Sequence, residues 1–230
     1  MADPFPQVGN NEFTQGCELA RNTLHPFFTL FYQSLNAVPD ERGLTDQLLF
    51  QLTRKVAAIN VDRTTPKEES ISGYDYSWRF RTKNLQTNQW EKRWIFLQAK
   101  IYKPEIVSGQ LLNIADFTYM YVLEAWLSEI GLTIVHIRKR GGDTLQMDLL
   151  NTTITNAKAA IPDAVVTGGY FLYGQNTVQF VPIADVLQKY ALAQQNNLSP
   201  EMSNRQMSAF FMDAGEIHYN IQNILTYRPT

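Results

Sequence analysis

The chain has 230 residues, 44% of them hydrophobic and 12% aromatic, enough to bury one sizeable core, with or without an appendage. Its formal net charge of −2 excludes the strongly basic balance of a tight, nonspecific nucleic-acid binder, but not a nuclease whose basic surface is local or supplied by a partner. The single cysteine, Cys17, excludes an internal disulfide framework and reads as a small buried apolar side chain in a reducing, cytoplasmic protein.

The opening MADPFPQVGNNEF has neither a basic region nor an apolar run, so no secretory signal is expected. The longest apolar stretches are interrupted by Asp116, Glu124 and Glu129, and no membrane span is expected either. Residues 1–14 are rich in Pro, Gly and Asn and read as an irregular arm. Residues 15–36 place Leu19, Leu24, Phe27, Phe28, Phe31 and Leu35 near helical spacing, with Pro26 as the expected kink or break. His25, beside it, reads as a packed or exposed side chain.

Residues 40–57 form a second expected helix, capped by Asp40 and striped by Leu44, Leu48, Leu49, Leu52 and Val56. Glu41, in its first turn, complements the helix dipole. Residues 58–71 run through a charged turn. There Glu68 and Glu69 read as a solvated acidic pair, the alternative being that one of them faces a metal as a second carboxylate.

Residues 72–100 read as a β-hairpin. Period two puts Tyr74, Tyr76, Trp78 and Phe80 on one face and Asp75, Ser77 and Arg79 on the other. The polar loop RTKNLQTNQWEKR carries Arg81, Lys83, Lys92 and Arg93. These read as loop bases, with contact to substrate phosphates as the functional alternative. The second strand, WIFLQAK, ends in Gln98 and Lys100, which leave the same face while Leu97 and Ala99 point into the opposite layer. Pairing of the two strands brings Asp75 beside them. An acid, a second oxygen ligand and a lysine on one sheet face suit a Mg²⁺ site for phosphodiester hydrolysis.

Beyond Lys100, IYKPEIVSGQ reads as a connector, and IADFTYMYVLEAWLSEIG as an amphipathic or buried helix ended by Gly131. LTIVHIRKRGG reads as a strand with a packed His136 and a basic tip at Arg138, Lys139 and Arg140, the strongest local candidate for a nucleic-acid or partner contact. TLQMDLLNTTITNAKAAIPD reads as a helix, then AVVTGGYFLYG as a strand that extends the sheet. Residues 196–230 read as a short helix and an extended tail, held against the body or a second subunit. The sequence shows no internal repeat, P-loop, dinucleotide fingerprint or Cys/His zinc spacing.

Gly73-Tyr74-Asp75 and Gln98-Ala99-Lys100, preceded by a helix bearing Glu41, resemble the PD-(D/E)xK nuclease superfamily, in the variant where glutamine replaces the second acid, as in Mrr-type restriction enzymes. The resemblance covers roughly residues 40–185. It implies an α/β fold with a restriction-endonuclease-like core, a mixed central sheet flanked by helices, and extra helical segments at both ends. The implied division is an arm and helix at 1–36, the core at 37–195 with an insertion at about 104–142, and a tail at 196–230.

By the same resemblance Asp75, Gln98, Lys100 and Glu41 are catalytic, and Asp75, Gln98 and Glu41 hold Mg²⁺ or Mn²⁺. Gln146 steadies the site from the following helix. Arg138, Lys139, Arg140, Lys92 and Arg93 contact nucleic acid, expected to be DNA. A role in restriction or antiphage defence, and a homodimer or an activating protein partner, are also implied.

Two other readings stand beside the nuclease. One is a catalytically silent module of the same fold that binds nucleic acid or a protein; the other is an unrelated α/β protein in which the motif is accidental. A working nuclease needs the cluster assembled and open to solvent, a silent module has it buried or salt-bridged, and an accident leaves Asp75 far from Lys100.

Overall fold

The computed structural model describes residues 3–35, 39–56, 59–118, 120–127, 133–139, 144–174 and 177–227. The first half runs α1 (Asn10–Leu35), α2 (Glu41–Thr53), β1 (Asn60–Arg63), α3 (Pro66–Ser72), β2 (Tyr76–Lys83) and β3 (Trp90–Ile101). Five short strands follow: β4 (Lys103–Val107), β5 (Gln110–Ile114), β6 (Met120–Leu127), β7 (Thr133–Lys139) and β8 (Thr144–Leu145). The chain then returns through α4 (Gln146–Ala160), β9 (Ala164–Gly174), β10 (Thr177–Pro182), α5 (Ile183–Gln195), α6 (Pro200–His218) and a 3-10 turn, Ile221–Leu225.

The fold is α/β. Its central sheet has the order β1-β2-β3-β9-β10 and is mixed: β3 pairs parallel to β9 and every other pairing is antiparallel. The β2–β3 register sets Tyr76 opposite Leu97 and Lys83 opposite Trp90. Strand alternation then sorts the core. Tyr76, Trp78, Phe80, Leu97 and Ala99 pack on one face with Phe13, Leu24, Leu48 and Leu52 of α1 and α2, joined by Ile221 and Ile224. Phe96, Tyr102, Tyr170 and Leu172 pack on the other with Leu150 and Ile154 of α4, Val186 of α5 and Met207 of α6. Tyr74, which precedes β2, falls on that second side and meets Phe96 edge to face.

Several sequence expectations are corrected. Residues 120–127 form strand β6, paired antiparallel to β7, rather than a helix. A short apolar run has no decisive period, and the aromatic-rich MYVLEAWL stretch pairs locally with TIVHIRK. The connector after Lys100 is a second hairpin, β4–β5, closed at Ser108–Gly109. Helix α1 starts at Asn10, inside the supposed arm, and runs through Pro26 unbroken. The tail holds the 19-residue α6, whose start is set by Ser199, its side chain accepting from the Met202 N–H, and by Pro200 in the first turn. No described helix is long and apolar enough to cross a membrane.

Candidate active site

Asp75 lies one residue before β2 and continues its pairing: its N–H donates to the Leu97 carbonyl at 2.8 Å. The carboxylate thereby arrives over the end of β3, where Oδ2 accepts from Gln98 Nε2 at 2.7 Å and from the Ala99 N–H at 2.9 Å. Lys100 leaves the same sheet face one pleat further on, and its charge acts on Asp75. Thr64 fixes the backbone here, its N–H donating to the Asp75 carbonyl at 2.9 Å and its hydroxyl to the Tyr74 carbonyl at 2.7 Å.

A second carboxylate closes the cluster. Thr65 and Glu68 form a capping box that starts α3, which commits Glu68 to the helix end. The next residue, Glu69, turns inward. Its Oε2 accepts from Arg42 Nη2 at 2.8 Å, its Oε1 from Gln146 Nε2 at 3.0 Å, and it hydrogen-bonds Asp75. Gly73 makes this possible. It ends α3 at φ 73°, and a Cβ there would sit 2.4 Å from the Leu150 nitrogen and 2.6 Å from the Gln146 carbonyl. Only glycine lets α3 meet the first turns of α4 closely enough for Gln146 to reach Glu69.

The cluster is nearly dry: Asp75 is 4% exposed, Gln98 1% and Lys100 5%. Burial pushes the Asp75 carboxyl up to about 8, and the adjacent Glu69 charge adds to the rise. The Ala99 N–H and the Lys100 charge pull the other way without cancelling it. The Gln98 carbonyl oxygen is buried and accepts no hydrogen bond among the described residues.

Asp75, Gln98 and Lys100 therefore converge, and Gln146 reaches the same cluster through Glu69. Glu41 sits at its margin, Oε1 accepting from the Ile101 N–H at 3.2 Å. The carboxylate that meets Asp75 is Glu69, one of the pair read as solvated. The readable signal was the T-x-x-E box over Thr65–Glu68, which assigns Glu68 to capping and frees its neighbour to turn inward. Arg42, which neutralises Glu69, was not anticipated.

Among the expected nucleic-acid contacts, Arg93 is corrected. It is 0% exposed, donates to the Ile224 carbonyl at 3.1 Å and pairs with Glu91. It sits in β3 rather than in the loop, with its guanidinium inside. Lys92 is partly exposed but pairs with Asp163 at 2.5 Å. Arg138 and Lys139 close β7 opposite Val122 and Tyr121. Arg140 lies outside the described residues.

No protein-family model and no curated protein sequence matches the chain. Among the described residues, no group of three or more His, Cys, Asp and Glu side chains is placed to hold a metal ion. The oxygen donors that do converge are two carboxylates, Asp75 and Glu69, and the amide carbonyl of Gln98. A small hard cation that keeps several of its own waters suits this set. It would give Gln98 Oε1 a partner and offset the charge of the two adjoining carboxylates.

Proposed function

We propose that the chain is a metal-dependent nuclease with a restriction-endonuclease-like core of the PD-(D/E)xK kind, in its glutamine variant. One observation carries the reading: Asp75, Gln98 and Lys100 meet on one sheet face with Glu69, and the buried Gln98 carbonyl oxygen has no partner among the described residues. The order α4, β9, β10, α5, with β9 parallel to β3, supports it, because it agrees with the later half of that fold.

Bound between Asp75, Glu69 and Gln98, Mg²⁺ or Mn²⁺ would polarise a phosphodiester and acidify a water. The chain's residues do the rest. Asp75 must shed its proton, which cation binding and the Ala99 N–H both favour. Arg42 and Gln146 hold Glu69 in one orientation. Lys100 Nζ orients the attacking water and counters the charge that grows on the phosphate. DNA is the proposed substrate, and restriction or antiphage defence the proposed setting.

A second reading, a silent module of the same fold, is favoured by the burial of Asp75 and Lys100 and by the Arg42–Glu69 ion pair. Purified protein incubated with plasmid and single-stranded DNA in Mg²⁺, Mn²⁺ or EDTA separates the two. Cutting that needs the metal and is lost in folded Asp75→Asn and Lys100→Met variants supports the nuclease. No cutting in any condition, with no metal uptake by calorimetry, replaces it with the module.

A further inference from the structure

Past Lys100, at the end of β3, lies a cavity of about 630 Å³. That volume falls within the range of small-molecule pockets. Its walls come from five places: Tyr102 just after β3, Phe28 on α1, Leu111 on the β4–β5 hairpin, Thr177 at the start of β10, and Met212 to Ile217 at the end of α6.

Three independent features mark it as built to hold something. The first is unmet hydrogen bonding. Tyr102 is 2% exposed, and its hydroxyl, like that of Thr177, is buried without a hydrogen-bond partner among the described residues. Buried hydroxyls left unpaired are uncommon and costly.

The second is backbone strain. Gly215 interrupts α6 at φ 59°, ψ −170°, a conformation nearly restricted to glycine. A Cβ there would meet nothing within 4 Å, so crowding does not force the outlier. Beyond this break Glu216 is held by Arg21 at 3.4 Å, His25 at 2.8 Å and the Val178 N–H at 2.6 Å.

The third is charge. Among the described residues the lining contains two acids and no Lys, Arg or His. Glu216 is matched by its basic partners, whereas Asp213 has no cation partner among the described residues. Asp213 is close enough for its charge to reinforce the rise that burial imposes on the Tyr102 phenol.

We propose that this cavity binds a small organic cation, an aromatic or aliphatic body bearing one protonated amine. The ammonium donates to the Asp213 carboxylate and the Tyr102 hydroxyl oxygen, and the body packs against Phe28, Leu111 and Met212. A phosphate or carboxylate ligand is disfavoured by the described lining, which is acidic and carries no base. The site stands apart from the nuclease reading and does not depend on it.

Calorimetric titration of the full chain with naphthylmethylamine, naphthylmethanol and naphthoate tests it, since the three share one apolar body and differ in charge. The amine is expected to bind about tenfold more tightly than the alcohol, and the acid not at all. Asp213→Asn, an exposed and near-isosteric change, should bring the amine down to the affinity of the alcohol. Tyr102→Phe should weaken amine binding severalfold while the melting temperature of the free protein holds or rises, because the lost hydroxyl had no partner among the described residues. Failure of the amine to bind, equal binding of all three probes, or an amine affinity untouched by Asp213→Asn overturns the proposal.

Discussion

At the scale of single residues, the protonation of Asp75 governs the candidate site. Its folded value of about 8 stands above the usual 3.8, so the native state holds this proton more tightly than the unfolded chain does. The stability linked to Asp75 is therefore complete below about pH 4 and is lost as pH rises through about 8. Asparagine cannot ionise and keeps the acceptor for the Ala99 N–H. Asp75→Asn should melt progressively higher than the parent protein between pH 5 and pH 9, by an amount that grows with pH. Added Mg²⁺ should raise the melting temperature of the parent at the alkaline end and leave the variant unmoved. Thermal scans across that range decide it, and a difference that stays flat with pH would sink the assignment of Asp75 as the proton holder.

At the scale of elements, the site depends on how α3 meets α4. Glu69 arrives on a seven-residue helix held by its capping box at one end and by Gly73 at the other. Gly73→Ala would incur roughly 1–2 kcal/mol for the left-handed backbone alone. The clash with Leu150 and Gln146 adds to that, because backbone atoms cannot rotate away. A loss above about 2 kcal/mol is expected in urea unfolding, together with a weaker pH dependence at Asp75 as Glu69 and Gln146 separate. A milder loss with unchanged pH dependence would mean that α3 does not position the second carboxylate.

For the whole molecule, Arg93 is a structural tie. It runs from the central sheet to the Ile224 carbonyl and so joins the last described turn to β3. Arg93→Ala strands a buried carbonyl and opens a void, which should cost about 3 kcal/mol or more. Lys92→Ala, one residue earlier on the partly exposed side, should cost less than about 1 kcal/mol. Chemical denaturation of the two variants measures the contrast. Equal, small losses accompanied by weaker DNA binding would return Arg93 to the surface role its neighbours in sequence suggest.

How much could be read without the structure follows from how far each signal reaches along the chain. Alternation over Tyr76–Phe80 and Phe96–Lys100 is a local property. It was enough to place Gln98 and Lys100 on one face, with Leu97 and Ala99 on the other. The capping residues Asp40, Thr65 and Ser199 are local as well, since a helix end is satisfied within a few residues. The choice of β6 over a helix depended on a partner strand, and the burial of Arg93 on a carbonyl 131 positions away. Glu68 and Glu69 have the same side chain and adjacent positions, yet one caps a helix and the other meets Asp75. That distinction, like the cavity at Tyr102, required α4 and α6 to be in place. Chemistry carried along one strand is written in the residues themselves; chemistry assembled between elements exists only once they pack.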